Sequence, residues 1–138
     1  MGIDRAFHRI AMRPGKPLMA GRLGSSAMLG LPGNPVSAMV CAILFLQPLL
    51  RAMQGDPDPA PRLRHARLGC ALRPEGDRQH YLRATRTEDA TGTVITPFAD
   101  QDSARLRLMA EADSLLVRPA GDPAREDGAP VRFIPLRH

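Results

Sequence analysis

The sequence predicts an α/β segment followed by a small, mostly-β domain, and three stretches carry that prediction. A short apolar run, Ala27 to Leu31, meets a Gly/Pro turn and is followed at once by a long apolar helix pattern from Pro35. The stretch Asp56-Pro57-Asp58-Pro59-Ala60-Pro61 is extended and stiff, can continue neither neighbour, and reads as a linker over residues 56–61. From Arg62 onward, short strand-like runs recur at regular spacing between turn residues.

In the first segment, residues 1–55, Ala6 to Met12 is expected to form a strand with Phe7 and Ile10 as its apolar positions, ended by Arg13-Pro14-Gly15. Leu18 to Leu23 and Ala27 to Leu31 predict two further short strands, parted by Gly24-Ser25-Ser26. Asn34 suits a helix N-cap, and Pro35 suits the first helical position, where its missing N–H costs nothing. The helix is expected to run to about Gln54 and stop at Gly55, with Pro48 bending it. It is apolar nearly all round, which predicts a buried helix covered on more than one side. Its most apolar stretch, Ala38 to Leu46, is shorter than the ~20 residues that span a bilayer. So much cover is hard to find in so short a segment, so these elements read as part of a larger sheet.

The second segment, residues 62–138, predicts strands at Leu63 to Leu72, His80 to Thr87, Thr93 to Pro97, Ser114 to Arg118 and Val131 to Pro135. Turns are expected at Pro74-Glu75-Gly76-Asp77, Asp89-Ala90-Thr91-Gly92 and Glu126-Asp127-Gly128, and one short helix at Ala104 to Glu111. A β-barrel or roll follows from this spacing.

Composition narrows the function. The 138 residues, 43% hydrophobic and poor in aromatics, allow one modest core or two small ones built on Leu, Val, Ile, Met and Ala. A net charge of +5 comes from arginines spread along the chain, which favours anionic ligands in general. No basic run with interleaved aromatics occurs, so nucleic acid is not the expected partner, and no membrane partner is expected. Cys41, expected in the apolar helix, and Cys70, expected in a strand, form neither a metal nor a disulfide pattern. Reduced thiols of a cytoplasmic protein are their simplest reading. His8, His65, His80 and His138 make no ligand pair at helical spacing, so no metal site is expected. Met1-Gly2-Ile3-Asp4-Arg5 lacks the apolar core of a signal peptide.

Two loops hold the candidate chemistry. Strand, tight turn and helix start at Leu31-Pro32-Gly33-Asn34-Pro35 leave free backbone N–H groups that, with the helix dipole, suit an anion. Gly33 and Asn34 are the candidate donors there, and an ordinary strand-to-helix turn explains them as well. Ser37 sits in the first helical turn, where its hydroxyl can reach an anion or bond only to backbone. Upstream, Arg13-Pro14-Gly15-Lys16-Pro17 contains the only lysine of the chain, a compact and flexible point charge.

Pro14-Gly15-Lys16-Pro17 and Leu31-Pro32-Gly33-Asn34-Pro35-Val36-Ser37 closely resemble the C-terminal part of the molybdopterin molybdenumtransferase family, which also forms the molybdenum-insertion half of gephyrin. Arg78-Gln79-His80-Tyr81-Leu82-Arg83 resembles that family's Arg-x-x-aromatic-x-Arg strand, and Gln101-Asp102-Ser103-Ala104-Arg105-Leu106 its Gln-x-Ser turn. The resemblance implies the end of a molybdopterin-binding three-layer α/β domain, then a C-terminal β-domain. It implies insertion of molybdenum from molybdate into adenylylated molybdopterin with release of AMP, this chain being an incomplete C-terminal part. A non-catalytic module that binds molybdopterin or a partner is the alternative. By resemblance, Lys16 is the leading oxyanion contact, Gly15 lets backbone approach the ligand, and Arg13 adds charge. Arg78, Arg83, Ser103 and Arg105 would form the β-domain's side of the cleft. Mg2+ is implied as a cofactor with its ligands upstream of these residues, and a homodimer is implied through domains absent here.

Overall fold

The computed structural model describes residues 4–7, 10–102 and 106–136. It divides into two units, Met1–Pro61 and Arg62–His138.

The first unit is built on a hairpin. β1 (Asp4–Phe7), β3 (Met19–Leu23) and β4 (Ser26–Gly30) form an antiparallel sheet in the order β1-β3-β4. β3 and β4 are joined by Gly24-Ser25, with Gly24 at φ +59. Glycine at the first central position of a two-residue turn matches the twist of the flanking strands. The single strand expected over Ala6 to Met12 is corrected: β1 ends at Phe7, and β2 is only Met12–Arg13. Between them Met12 N–H turns back onto the Ile10 carbonyl at 2.9 Å, a three-residue turn that no strand can contain.

The helix runs without interruption as α1 (Pro35–Cys41), a π segment (Ala42–Leu46) and α2 (Gln47–Met53). Pro48 explains the middle piece. It offers no N–H to the carbonyl four residues back and its ring crowds that carbonyl. Widening the preceding turn resolves both, and Gln47 N–H accordingly reaches Ala42 O, five residues back. The expectation of a buried helix is also corrected. Val36, Val40, Cys41 and Leu44 are buried, but α2 has no buried residue, and Met39, Leu50 and Met53 are exposed. By length and composition the continuous helix Pro35–Met53 could cross a membrane, which the shorter stretch read from sequence did not allow.

The second unit is a closed five-stranded barrel. Its strands are β5 (Arg64–Leu68), β6 (Gln79–Asp89), β7 (Gly92–Pro97), β8 (Ser114–Arg118) and β9 (Pro130–Pro135). They follow the order β6-β7-β5-β9-β8, and β8 pairs back onto β6 to close the ring. Only β5–β7 is parallel. Leu68, Leu82, Ala84, Ile95, Leu116, Val131 and Phe133 fill the interior. The β6–β8 pairing closes the ring around this small core. α3 (Leu106–Glu111) buries Met109. The strand expected over Leu63 to Leu72 stops at Leu68. Gly69 packs so tightly on β7 that a Cβ would lie 2.2 Å from Thr96 Oγ1, and Leu72 exchanges backbone bonds with Arg125. Cys70 therefore follows β5 and lies in no strand.

A buried ion cluster ties the loops at one barrel end. Arg118, 1% exposed, donates from Nε to Asp122 and from Nη2 to the carbonyls of Arg73 (3.1 Å) and Pro123 (3.0 Å). Arg125 Nη2 donates to the other Asp122 oxygen at 2.6 Å. Hydrogen bonds from Arg125, then from Arg118, hold the Asp122 carboxyl below its ordinary range against the opposing effect of burial. At the β6–β7 hairpin, Asp89 accepts from Thr91 Oγ1 (2.7 Å), Thr91 N–H (2.8 Å) and Arg67 (2.7 Å), which lowers its pKa from 3.8 to about 2.

Asp122→Ala strands a buried guanidinium, so denaturant melts should show a loss of about 3–5 kcal/mol. Arg125→Ala, at the more exposed partner, should cost less. Both carboxyls have folded-state pKa values below their unfolded ones. Their contribution is present above pH ~4 and is lost as pH falls toward the folded value. A series of melts from pH 5 to 2 should show this decline, and Asp89→Asn should make it shallower.

Candidate functional site

The β3–β4 register brings the two Pro/Gly loops to one place. Met19 pairs with Gly30 at the open end of the hairpin. Lys16 lies three residues before Met19 and Gly33 three residues after Gly30, so both loops leave the sheet at that end. The helix begins there too. Asn34 is its N-cap, in extended conformation, and its side-chain oxygen accepts from Ser37 N–H at 3.1 Å. Pro35 follows at the first helical position, and Ala38 N–H closes the first turn on Asn34 O at 2.8 Å.

The two glycines of these loops serve different ends. Gly15 is buried with φ +135, and a Cβ there would stand 2.8 Å from Cys41 Sγ and 2.9 Å from Met12 Cε. Its place is filled by protein, so packing and backbone both require glycine. The Cys41 thiol faces the Gly15 carbonyl at 4.0 Å, and burial pushes its pKa up to about 11. That is an inert thiol under the loop. Gly33 is exposed, lacks a positive φ, and a Cβ there would meet nothing within 4 Å. Neither packing nor conformation accounts for it.

Around these glycines, Arg13 and Lys16 are exposed and make no ion pair among the described residues. Ser37 is buried in the first turn, with its N–H committed to the cap. The peptide bonds before Pro14 and Pro17, on either side of Gly15, are both cis.

In the second unit Arg83 stands in mid-β6, only 2% exposed. Its Nε donates to Gln101 Oε1 at 3.3 Å and its Nη1 to Asp102 O at 3.2 Å. Gln101 also grips the strand itself, accepting from Arg83 N–H at 2.9 Å and donating to the carbonyls of Arg83 (2.9 Å) and Phe98 (2.8 Å). Burial lowers the Arg83 pKa, with Asp100 and Asp102 pulling the other way. Arg78 lies just before β6, half-exposed, with Asp77 4.0 Å from its Nε. The fold thus joins Arg83 to the Gln101 turn and leaves Arg78 apart. Ser103 and Arg105 lie outside the described residues.

The sequence reading missed two residues. Gln101 appeared only as part of a motif, although its amide saturates both backbone groups of Arg83. Asp122 was passed over, although the spacing Arg118, Asp122, Arg125 places one acid within reach of two arginines.

Two family models match the chain. Residues 65–136 match the MoeA C-terminal region (domain IV), and residues 1–52 match a probable molybdopterin binding domain. Molybdopterin molybdenumtransferase 2 of Mycobacterium tuberculosis is 42% identical over 80% of this chain and 27% of its own length. The molybdopterin molybdenumtransferase of Synechococcus elongatus is 35% identical over 99% of this chain and 33% of its own length. A solved molybdenum cofactor biosynthesis protein from Pyrococcus furiosus superposes on 96% of this chain and 46% of its own with a TM-score of 0.78 at 19% identity, a likeness of fold. The chain spans about a third of the length of the curated relatives it matches.

Gly15→Ala should lower stability by about 1–3 kcal/mol, through a forbidden φ and crowding against Cys41 and Met12. Asn34→Ala should cost about 1 kcal/mol through the lost cap. Denaturant melts followed by circular dichroism check both, and unchanged midpoints would remove the structural account of these residues.

Proposed function

The chain belongs to the molybdopterin molybdenumtransferase family, its second unit being the MoeA C-terminal region, and from that membership we propose that it carries part of the anion-binding site of a cytoplasmic molybdenum-inserting enzyme of molybdenum cofactor biosynthesis. The proposed reaction moves molybdenum from molybdate into adenylylated molybdopterin and releases AMP. Every participant is an anion, so the protein must supply fixed positive charge and oriented N–H donors.

One observation carries the reading. The Met19–Gly30 register sets an exposed lysine loop beside a helix start whose glycine the fold does not need. Lys16 is assigned to a molybdate or phosphate oxygen, with Arg13 as a second charge. Backbone N–H groups at Gly33 and Asn34 are assigned to the same anion, the bare Cα of Gly33 allowing close approach. Gly15 holds the loop against the helix, and Ser37 belongs to the first turn that shapes the donors. In the β-domain, taken by itself, Gln101 immobilises Arg83 as a source of directional charge, and Arg78, Ser103 and Arg105 are assigned to anion binding by family resemblance. Among the described residues no three His, Cys, Asp or Glu side chains stand together to hold a metal ion. The Mg2+ that the family resemblance implies would take its ligands from upstream of these residues.

Calorimetric titration of molybdate and of molybdopterin-AMP into the chain tests the proposal. Lys16→Ala and Gly33→Ala should each weaken binding by about tenfold or more while leaving the melting temperature unchanged. A folded chain with no saturable binding, or binding indifferent to Lys16, would overturn it. Measuring AMP release on the same samples separates turnover from binding alone.

A further inference from the structure

β7 runs out beside Arg83, and a side chain takes over where the strand stops. Ala84 pairs with Pro97, the last residue of β7, and Phe98 N–H still reaches Arg83 O at 3.0 Å. The chain then turns, and Gln101 comes back to the same residue. Its Oε1 accepts from Arg83 N–H at 2.9 Å and its Nε2 donates to Arg83 O at 2.9 Å, so one amide side chain pairs with the strand as a backbone residue would. The same amide accepts from Arg83 Nε at 3.3 Å and donates to Phe98 O at 2.8 Å. All of these contacts lie within the second unit.

Two features separate this contact from the mere capping of a strand. Arg83 is 2% exposed, yet among the described residues its side-chain bonds leave from Nε and Nη1 alone, to Gln101 Oε1 and Asp102 O, and Nη2 has no acceptor. A buried donor without an acceptor is costly to keep. The acceptor that holds Nε is also neutral, although Asp100 and Asp102 flank it in the chain and act on Arg83 through their charge. A carboxylate in place of that amide would pair with the guanidinium and cancel its charge. Gln101 fixes the guanidinium and leaves the charge whole.

We propose that Gln101 is a positioning residue for oxyanion binding at Arg83, the anion being a tetrahedral oxyanion of the molybdate class. The inference rests on the anion-binding reading above and deepens it, because it separates the group that meets the anion from the group that places it. Gln101 touches no ligand, and its effect on affinity passes through Arg83. A guanidinium already held at Nε loses less side-chain freedom on binding. Its remaining N–H donors make charge-assisted bonds to the oxyanion.

Calorimetric titration of molybdate into the full chain tests it, with Gln101→Ala, Gln101→Glu, Arg83→Met and the two double variants beside it. Gln101→Ala and Arg83→Met should each weaken binding about tenfold or more. Gln101→Glu should weaken it further than Gln101→Ala, because it keeps an acceptor for Arg83 Nε and adds the cancelling charge. A residue that only stabilised the strand would lower the melting temperature and leave the affinity of the folded protein unchanged. With Arg83→Met there is no guanidinium to place, so neither change at Gln101 should lower the affinity further. The unaltered chain gives a readout free of folding defects: the NMR signal of Arg83 Nε–H should shift with added molybdate and saturate with the calorimetric curve. Unchanged affinity in the folded Gln101 variants, additive losses in the double variants, or an Arg83 signal indifferent to saturating molybdate would overturn the proposal. Where Lys16→Ala still weakens binding, those results overturn it alone, whereas an unaltered chain that binds no molybdate overturns the anion-binding reading with it.

Discussion

Two residues between Leu23 and Ser26 set the pairing of β3 against β4, and the first unit is arranged around that register. Gly24 at positive φ suits the two-residue turn Gly24-Ser25, and in the register that this turn closes Met19 meets Gly30. The Lys16 loop and the helix start then share one end of the sheet although they lie some fifteen to twenty residues apart in the chain. A one-residue slip would reverse every side chain of β4 and move Asn34 away from the loop it now neighbours. Gly15 then holds the lysine loop down, because only a residue without Cβ fits between Met12 and Cys41. The rigidity of the hairpin and the tightness of that contact together leave Lys16 exposed on a fixed base.

The second unit solves a different problem, namely how a barrel with few aromatics keeps two arginines buried. Arg118 is neutralised by Asp122 and capped by two carbonyls. Among the described residues no carboxylate oxygen accepts from Arg83. Its partners are the Gln101 amide oxygen and the Asp102 carbonyl, with Asp100 and Asp102 acting only through their charge. Burying a guanidinium on neutral acceptors is the costlier arrangement. Of the two arginines, Arg118 is explained by the loops it ties and Arg83 is the better candidate for a role in binding.

Regular elements were the most legible part of the sequence. Ser114–Arg118 coincides with its expected strand, and Asn34 and Pro35 open the helix as their chemistry requires. Failures fell where tertiary contacts override local pattern. Nothing local to Ala6–Met12 announces the turn from Met12 onto Ile10, and Gly69 ends β5 because of Thr96, twenty-seven residues away. The helix pattern was read correctly as apolar all round, but burial depends on what else is present, which periodicity cannot show. At the site, the sequence could identify Lys16 and Gly33 as unusual. It could not separate a glycine that packing demands from one it does not, because that distinction needs the atoms around the missing Cβ.

That distinction also bears on how the family motif should be read. Pro14-Gly15-Lys16-Pro17 and Leu31-Pro32-Gly33-Asn34-Pro35 look alike as Pro/Gly loops, yet each divides into scaffold and presentation. Gly15, Asn34 and Pro35 have structural reasons within the chain itself: a left-handed backbone under Cys41, a cap on Ser37, a first helical turn. Lys16 and Gly33 have none. An exposed cation and an unneeded glycine at the same end of one hairpin are what remain once folding has been accounted for. The proposed anion would account for both, since a flexible ammonium and the N-terminal end of a helix each favour negative charge.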